Sequence, residues 1–245
     1  PVCADRDWEN MITTLRGNIG NPGTRTDNCY HVFYHPQGLN LDEVAILNGF
    51  VVRDGNADGA AWPYYDGGGM YNWNSSPTIL NCTFTENNAS NDGGGIFAWK
   101  ANSILDKCVF IDNSAGYGGG MHNDGNSSPH MTYCNFYTNT AKQDGGGMFC
   151  WGGTPMLTNC GFAENTAVDE GGGMYLCCDL RGVFTDCEVF LNTAYRGGGI
   201  HNTQYSHPTL IDCIIGSNTV DGDKARGGGM YNGIDSSPRF IGCTF

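Results

Sequence analysis

The feature that most constrains this chain is a double periodicity. Glycine triplets begin at Gly67, Gly93, Gly118, Gly145, Gly171, Gly197 and Gly227, in steps of 26, 25, 27, 26, 26 and 30 residues. A cysteine column keeps nearly the same step: Cys82, Cys108, Cys134, Cys160, Cys187, Cys213 and Cys243. Glycine costs roughly 0.5–1 kcal/mol in a regular element. Triplets that recur with every unit therefore mark a bend that needs positive φ or close backbone approach. No triplet is followed by the Lys-Ser or Lys-Thr of a phosphate-cradling loop.

Other columns fall into step with these two. Three residues before each cysteine stands Ile79, Leu105, Met131, Leu157, Phe184, Leu210 or Phe240, and two after it stands Phe84, Phe110, Phe136, Phe162, Val189, Ile215 or Phe245. Five after it comes Asn87, Asn113, Asn139, Asn165, Asn192 or Asn218, an amide column suited to bonding turn backbone and its own neighbours. Directly after each triplet comes Met70, Ile96, Met121, Met148, Met174, Ile200 or Met230.

Short alternating apolar segments with Gly, Pro, Ser, Asn and Asp between them leave no room for a long amphipathic helix. Such a unit cannot bury its apolar side chains alone and must stack on its neighbours. The expected fold is all-β, a right-handed parallel β-helix (solenoid) with about 26 residues per coil and equivalent residues about 4.8 Å apart. Residues 1–43 are expected to form an irregular N-terminal cap or first coil. Residues 44–245 form the β-helix, regular from 67, with an incomplete last coil whose uncovered strand edges invite end-to-end pairing.

Composition narrows the partners. With 25 acidic and 12 basic residues, net charge −13, the chain is a poor match for nucleic acid or an anionic membrane. No run of 18 apolar residues suggests a transmembrane segment. Abundant Gly, Asn, Ser and Thr with little Lys point to an extracellular or cell-surface location.

The segments Phe84-Thr-Glu-Asn87, Phe110-Ile-Asp-Asn113, Phe136-Tyr-Thr-Asn139 and Phe162-Ala-Glu-Asn165 are FxxN motifs, each paired with a GGG-Met or GGG-Ile segment. They resemble the FxxN and GGA-Ile repeats of chlamydial polymorphic outer-membrane proteins. SSPTILNCTFTENNA and VAILNGFVVRDGNADG are more similar still to bacterial secreted, surface-anchored right-handed β-helix repeat proteins, over about residues 28–245. The resemblance implies a cell-surface protein, adhesive in the chlamydial group, whose repeats are scaffold and carry no catalytic residue. GGG stands here for GGA, and no autotransporter barrel is seen.

Two columns carry candidate chemistry. Just before the triplets run Asp66, Asp92, Tyr117, Asp144, Glu170, Arg196 and Arg226. Stacking puts Asp66 beside Asp92 and Asp144 beside Glu170, about 5 Å apart. Such pairs suit a retaining glycosidase, oxygen ligation of Ca²⁺ or a plain solvated stripe, while Glu170 with Arg196 reads as a salt bridge. One residue beyond each Met or Ile is a ring column, Tyr71, Phe97, His122, Phe149, Tyr175, His201 and Tyr231, with Trp73, Trp99 and Trp151 on the same parity. Strand alternation turns these outward as an aromatic strip about 30 Å long. The strip is either a contact surface for glycan, protein or another copy, or a stiffening ladder.

The cysteine column reads as buried thiols, because parallel in-register side chains have the wrong mutual direction for disulfides. Cys3, Cys29, Cys150 and Cys177 lie off that column and are the disulfide candidates, Cys150 with Cys177 by their similar offsets. The expected function is a noncatalytic structural or adhesive extracellular protein that binds itself, as a filament or surface layer, or cell-surface glycan or protein. The alternative is a polysaccharide lyase or glycoside hydrolase of the pectate-lyase-like fold. The chain lacks the NTD, GHG, RIK and RxPxxR segments of such enzymes.

Overall fold

The computed structural model describes residues 12–21, 24–223 and 225–245. A typical coil is four short strands, Met70–Trp73, Thr78–Leu80, Thr83–Thr85 and Asn88–Ala89. Equivalent strands of successive coils pair in parallel, giving four long sheets, here first to fourth in that order. The register does not slip. Met70, Ile96, Met121, Met148, Met174, Ile200 and Met230 are consecutive partners along the first sheet. Phe33–His35 begins that sheet and Thr13–Arg16 begins the third, so strands from before residue 44 join two of the four sheets. Among the described residues, no helix is long and apolar enough to cross a membrane.

Alternation decides what lies inside. Met70, Ile79, Cys82 and Phe84 are all buried in one continuous core with their equivalents. Phe84, Phe110, Phe136 and Phe162 stack ring on ring at 5.2, 4.5 and 4.7 Å, within 8° of parallel. The thiol column runs beside them: Cys108 Sγ–H donates to the Ile79 carbonyl of the preceding coil at 3.3 Å. Donation to the thiol of the adjoining coil, with burial, pushes Cys160 and Cys187 up to about 12.

The asparagine column closes the corner between the third and fourth sheets. Asn113 Nδ2 donates to Phe84 O at 2.9 Å and to Asn139 Oδ1 at 3.0 Å, and Asn139 Oδ1 also accepts from the Asn113 backbone N–H. The pattern repeats from Asn87 to Asn218. Buried amides are thereby satisfied, where each unpaired group would cost about 1–3 kcal/mol.

The triplet uses its glycines for two reasons. Gly118 has φ +63, while a Cβ on Gly119 would fall 2.5 Å from Gly146 O of the next coil. The first position thus needs the left-handed conformation and the second needs close approach of two backbones. Each regular coil also turns left-handed at two other residues, immediately before the cysteine and before the asparagine. Examples are Tyr133 (φ 52) and Thr138 (φ 51).

Among the described residues the expected Cys150–Cys177 disulfide does not form. Cys29, Cys150 and Cys177 are free thiols, and Cys3 lies outside the described residues. Cys150 pairs in register with Leu176, whereas Cys177 pairs with Trp151. One residue of offset reverses the face in a strand, so Cys150 points into the core and Cys177 away from it.

Candidate functional site

Outward-pointing side chains of the first sheet build the site. The ring column forms there as predicted, but not as an exposed strip. Tyr71, Phe97, His122, Phe149, Tyr175 and His201 are buried and Tyr231 is half-buried. Most rings cover the next, as in Tyr71–Phe97 at 5.2 Å, Phe149–Tyr175 at 4.8 Å and Tyr175–His201 at 5.1 Å, while Phe97 meets His122 edge-on at 5.7 Å. Stacking at the strand spacing consumes the ring faces, and the residues before the triplets crowd the column from one side. The ladder reading describes this geometry.

The tryptophan row is broken. Trp73 and Trp99 stack at 4.9 Å and 9°, and Trp99 then pairs with Asp124. In the following coil Trp151 returns, 50 % exposed, paired with Cys177. A small acid between two indoles, and Tyr117 in a row otherwise made of charged residues, open a cleft of about 330 Å³. His122, Phe149 and Tyr175 line its floor, and Asp92, Tyr117 and Asp144 come from one side. Asp124, Trp151 and Cys177 come from the other.

The predicted acid row is therefore divided among different environments. Asp66 is buried, accepts from Asn91 Nδ2 and the Asp92 N–H, both at 3.1 Å, and is raised to about 7 by burial and the Asp92 charge. Burial, then the charges of Glu170 and Asp169, raise Asp144 to about 7. Burial also raises Asp124. Glu170 is paired with Arg196 at 2.7 Å, the expected salt bridge. Among the described residues, no three His, Cys, Asp or Glu side chains are grouped to hold a metal ion.

His122 is the functional feature that column reading missed, since it was placed only as a ring. It is 4 % exposed, with Nδ1 3.1 Å from Asp92 Oδ1. That contact has ion-pair distance without the angle of a hydrogen bond, and Nε2 has no protein partner. Burial works to lower its pKa, but the Asp92 charge prevails and holds it above the usual value. At the far end Cys178 Sγ lies 3.1 Å from Cys177 Sγ and 2.9 Å from Gln204 Oε1.

Residues 62–176 match the family model for the right handed beta helix region. The match spans the coils that supply the floor of the cleft and confirms the hand of the solenoid. Comparison with curated proteins and with solved structures found no match. Tyr117 departs from the charged row and Asp124 from the tryptophan row, and both line the cleft beside His122 and Trp151.

Proposed function

We propose that this chain is an extracellular or cell-surface β-helix of noncatalytic, adhesive type, and that its cleft holds a glycan. One observation carries the reading: an exposed indole at Trp151 stands over a cleft lined with hydrogen-bonding groups. Sugar rings present an apolar face to an aromatic ring and hydroxyls to polar side chains, and a cleft combining the two suits them. The stiff ladders support the role, because a preformed site loses little freedom on binding. The FxxN resemblance and the Lys-poor composition support the location.

A screen of immobilised glycans, followed by calorimetry, tests this. Trp151→Ala should weaken the best ligand at least tenfold without changing the melting temperature by more than a few degrees. Equal affinity of the variant and the parent would refute the cleft as the binding site.

The Asp92–His122 contact and the Asp144 carboxyl poised at about 7 favour a second reading, cleavage of the bound glycan by general acid–base chemistry. Chromatography of the same glycans after long incubation separates the two. New reducing or unsaturated ends, lost in Asp92→Asn, would replace the adhesive reading with an enzymatic one.

A further inference from the structure

The charge of the cleft says more than its shape. Asp92, Asp124 and Asp144 face it, and none of its lining residues is Lys or Arg. The closest cation of the neighbouring row, Arg196, is already held by Glu170 at 2.7 Å. Burial raises both Asp124 and Asp144, and Glu170 and Asp169 add their repulsion at Asp144. Carboxylates in that condition are stabilised by any positive charge brought beside them.

His122 is a second, independent sign of a ligand. It is more than nine-tenths buried, it faces the cleft, and its Nε2 is unpartnered. A buried donor without an acceptor is costly to the fold, and a ligand oxygen would relieve that cost. The rings agree in sign with the acids, since aromatic faces attract cations and Trp151 and Tyr175 both line the space. An acidic sugar would instead meet three carboxyl groups, with no Lys or Arg among the lining residues to answer it.

We propose that the cleft binds a cationic amino sugar, a glycan whose free amine is seated among Asp92, Asp124 and Asp144 while its ring lies against Trp151. A ring or hydroxyl oxygen then accepts from His122 Nε2. This rests on the glycan-binding reading above and specifies the class of glycan.

Calorimetry on the full chain with four probes tests it: a glucosamine tetramer, its N-acetylated twin, a galacturonate tetramer and tetralysine. The glucosamine tetramer should bind at least tenfold tighter than its acetylated twin, and that advantage should shrink as salt rises. Asp124→Asn and Asp144→Asn should each lose about tenfold for the amine and stay within twofold for the acetylated tetramer. Melting curves verify that each variant is folded, and two variants guard against one failing to fold.

Equal binding of the two hexosamine tetramers, or tighter binding of galacturonate, would overturn the amine assignment and leave glycan binding intact. Tetralysine binding as tightly as the glucosamine tetramer would overturn the sugar half of the assignment. Absence of binding to every saccharide, in the glycan screen as well, would remove the underlying reading and the inference with it.

Discussion

His122 and His201 occupy the same position of the ring column three coils apart, linked in register through Phe149 and Tyr175. Both are almost fully buried, yet their pKa values move in opposite directions. Beside His122 the row before the triplets offers Asp92, and the histidine is held above its usual pKa against the pull of burial. Beside His201 it offers Arg196, which adds to burial and lowers the histidine to about 4, despite Glu170 Oε2 at 3.3 Å from Nε2. Arg196 already answers the Glu170 charge. A solenoid fixes where a side chain goes, and the residue one row over decides what it can do there.

The largest effect should come from the ladder that both regions share. Asn139→Ala removes the acceptor of two Asn113 donors and should cost roughly 2–5 kcal/mol from the groups left unpaired. Chemical denaturation measures it, and hydrogen exchange should show protection lost around both histidines. Loss confined to one region would mean that the coils do not share a common support.

Next in size, the two regions should respond to pH with opposite signs. Asp66 and Asp144 hold their protons up to about 7, against 3.8 ordinarily, so their contribution to stability is greatest in acid and drains as pH rises from about 4 to 7. His201 has a folded pKa of about 4 against 6.5, so its contribution is intact above 6.5 and is lost as pH falls through 4. Asp144→Asn should therefore gain on the parent as pH rises across that window. His201→Phe, a ring the column accepts elsewhere, should gain as pH falls. About 1–2 kcal/mol is expected for each after solvent screening is allowed for, read from melting temperatures. Parallel slopes for the two variants would dissolve the contrast.

Swapping the neighbour tests its cause. Tyr117→Arg puts a guanidinium into the row beside Asp92 and Asp144, as Arg196 stands beside Glu170. Asp144 should fall towards the ordinary carboxylate range in an NMR titration. The smallest change is expected of Arg196→Gln: His201 should rise from about 4 yet stay below 6.5, because burial is the larger cause and remains. An unmoved His201 would show that the guanidinium is not felt there.

Much of the fold was legible because interior columns repeat in every coil. Glycine, cysteine, Phe and Asn each mark the same place seven or fewer times, and two markers in step suffice to define a coil. The second class of bends was not legible, since Tyr133 and Thr138 adopt left-handed backbone without being glycine. Only the corners they share, Tyr133 with Asn81, Lys107 and Asn159, and Thr138 with Glu86, Asp112 and Glu164, reveal it. The cleft was legible only in pieces. Its residues were noted in the acid and ring columns, but its existence depends on Asp124 interrupting the tryptophans, which becomes visible only once register sets it between Trp99 and Trp151. The same one-residue precision separates Cys150 from Cys177, where similar offsets from the triplets suggested a pair.

The asparagine ladder has a consequence for how such a chain changes length. Each amide is satisfied by the coil before and the coil after, so an inserted or deleted unit of about 26 residues finds the same partners at either junction. Duplication would then extend the rod in steps of about 4.8 Å, moving the coils around the cleft relative to the ends of the rod while leaving their contacts alone. Length and the chemistry of the cleft can be tuned separately, one by counting coils and the other by editing a few outward residues.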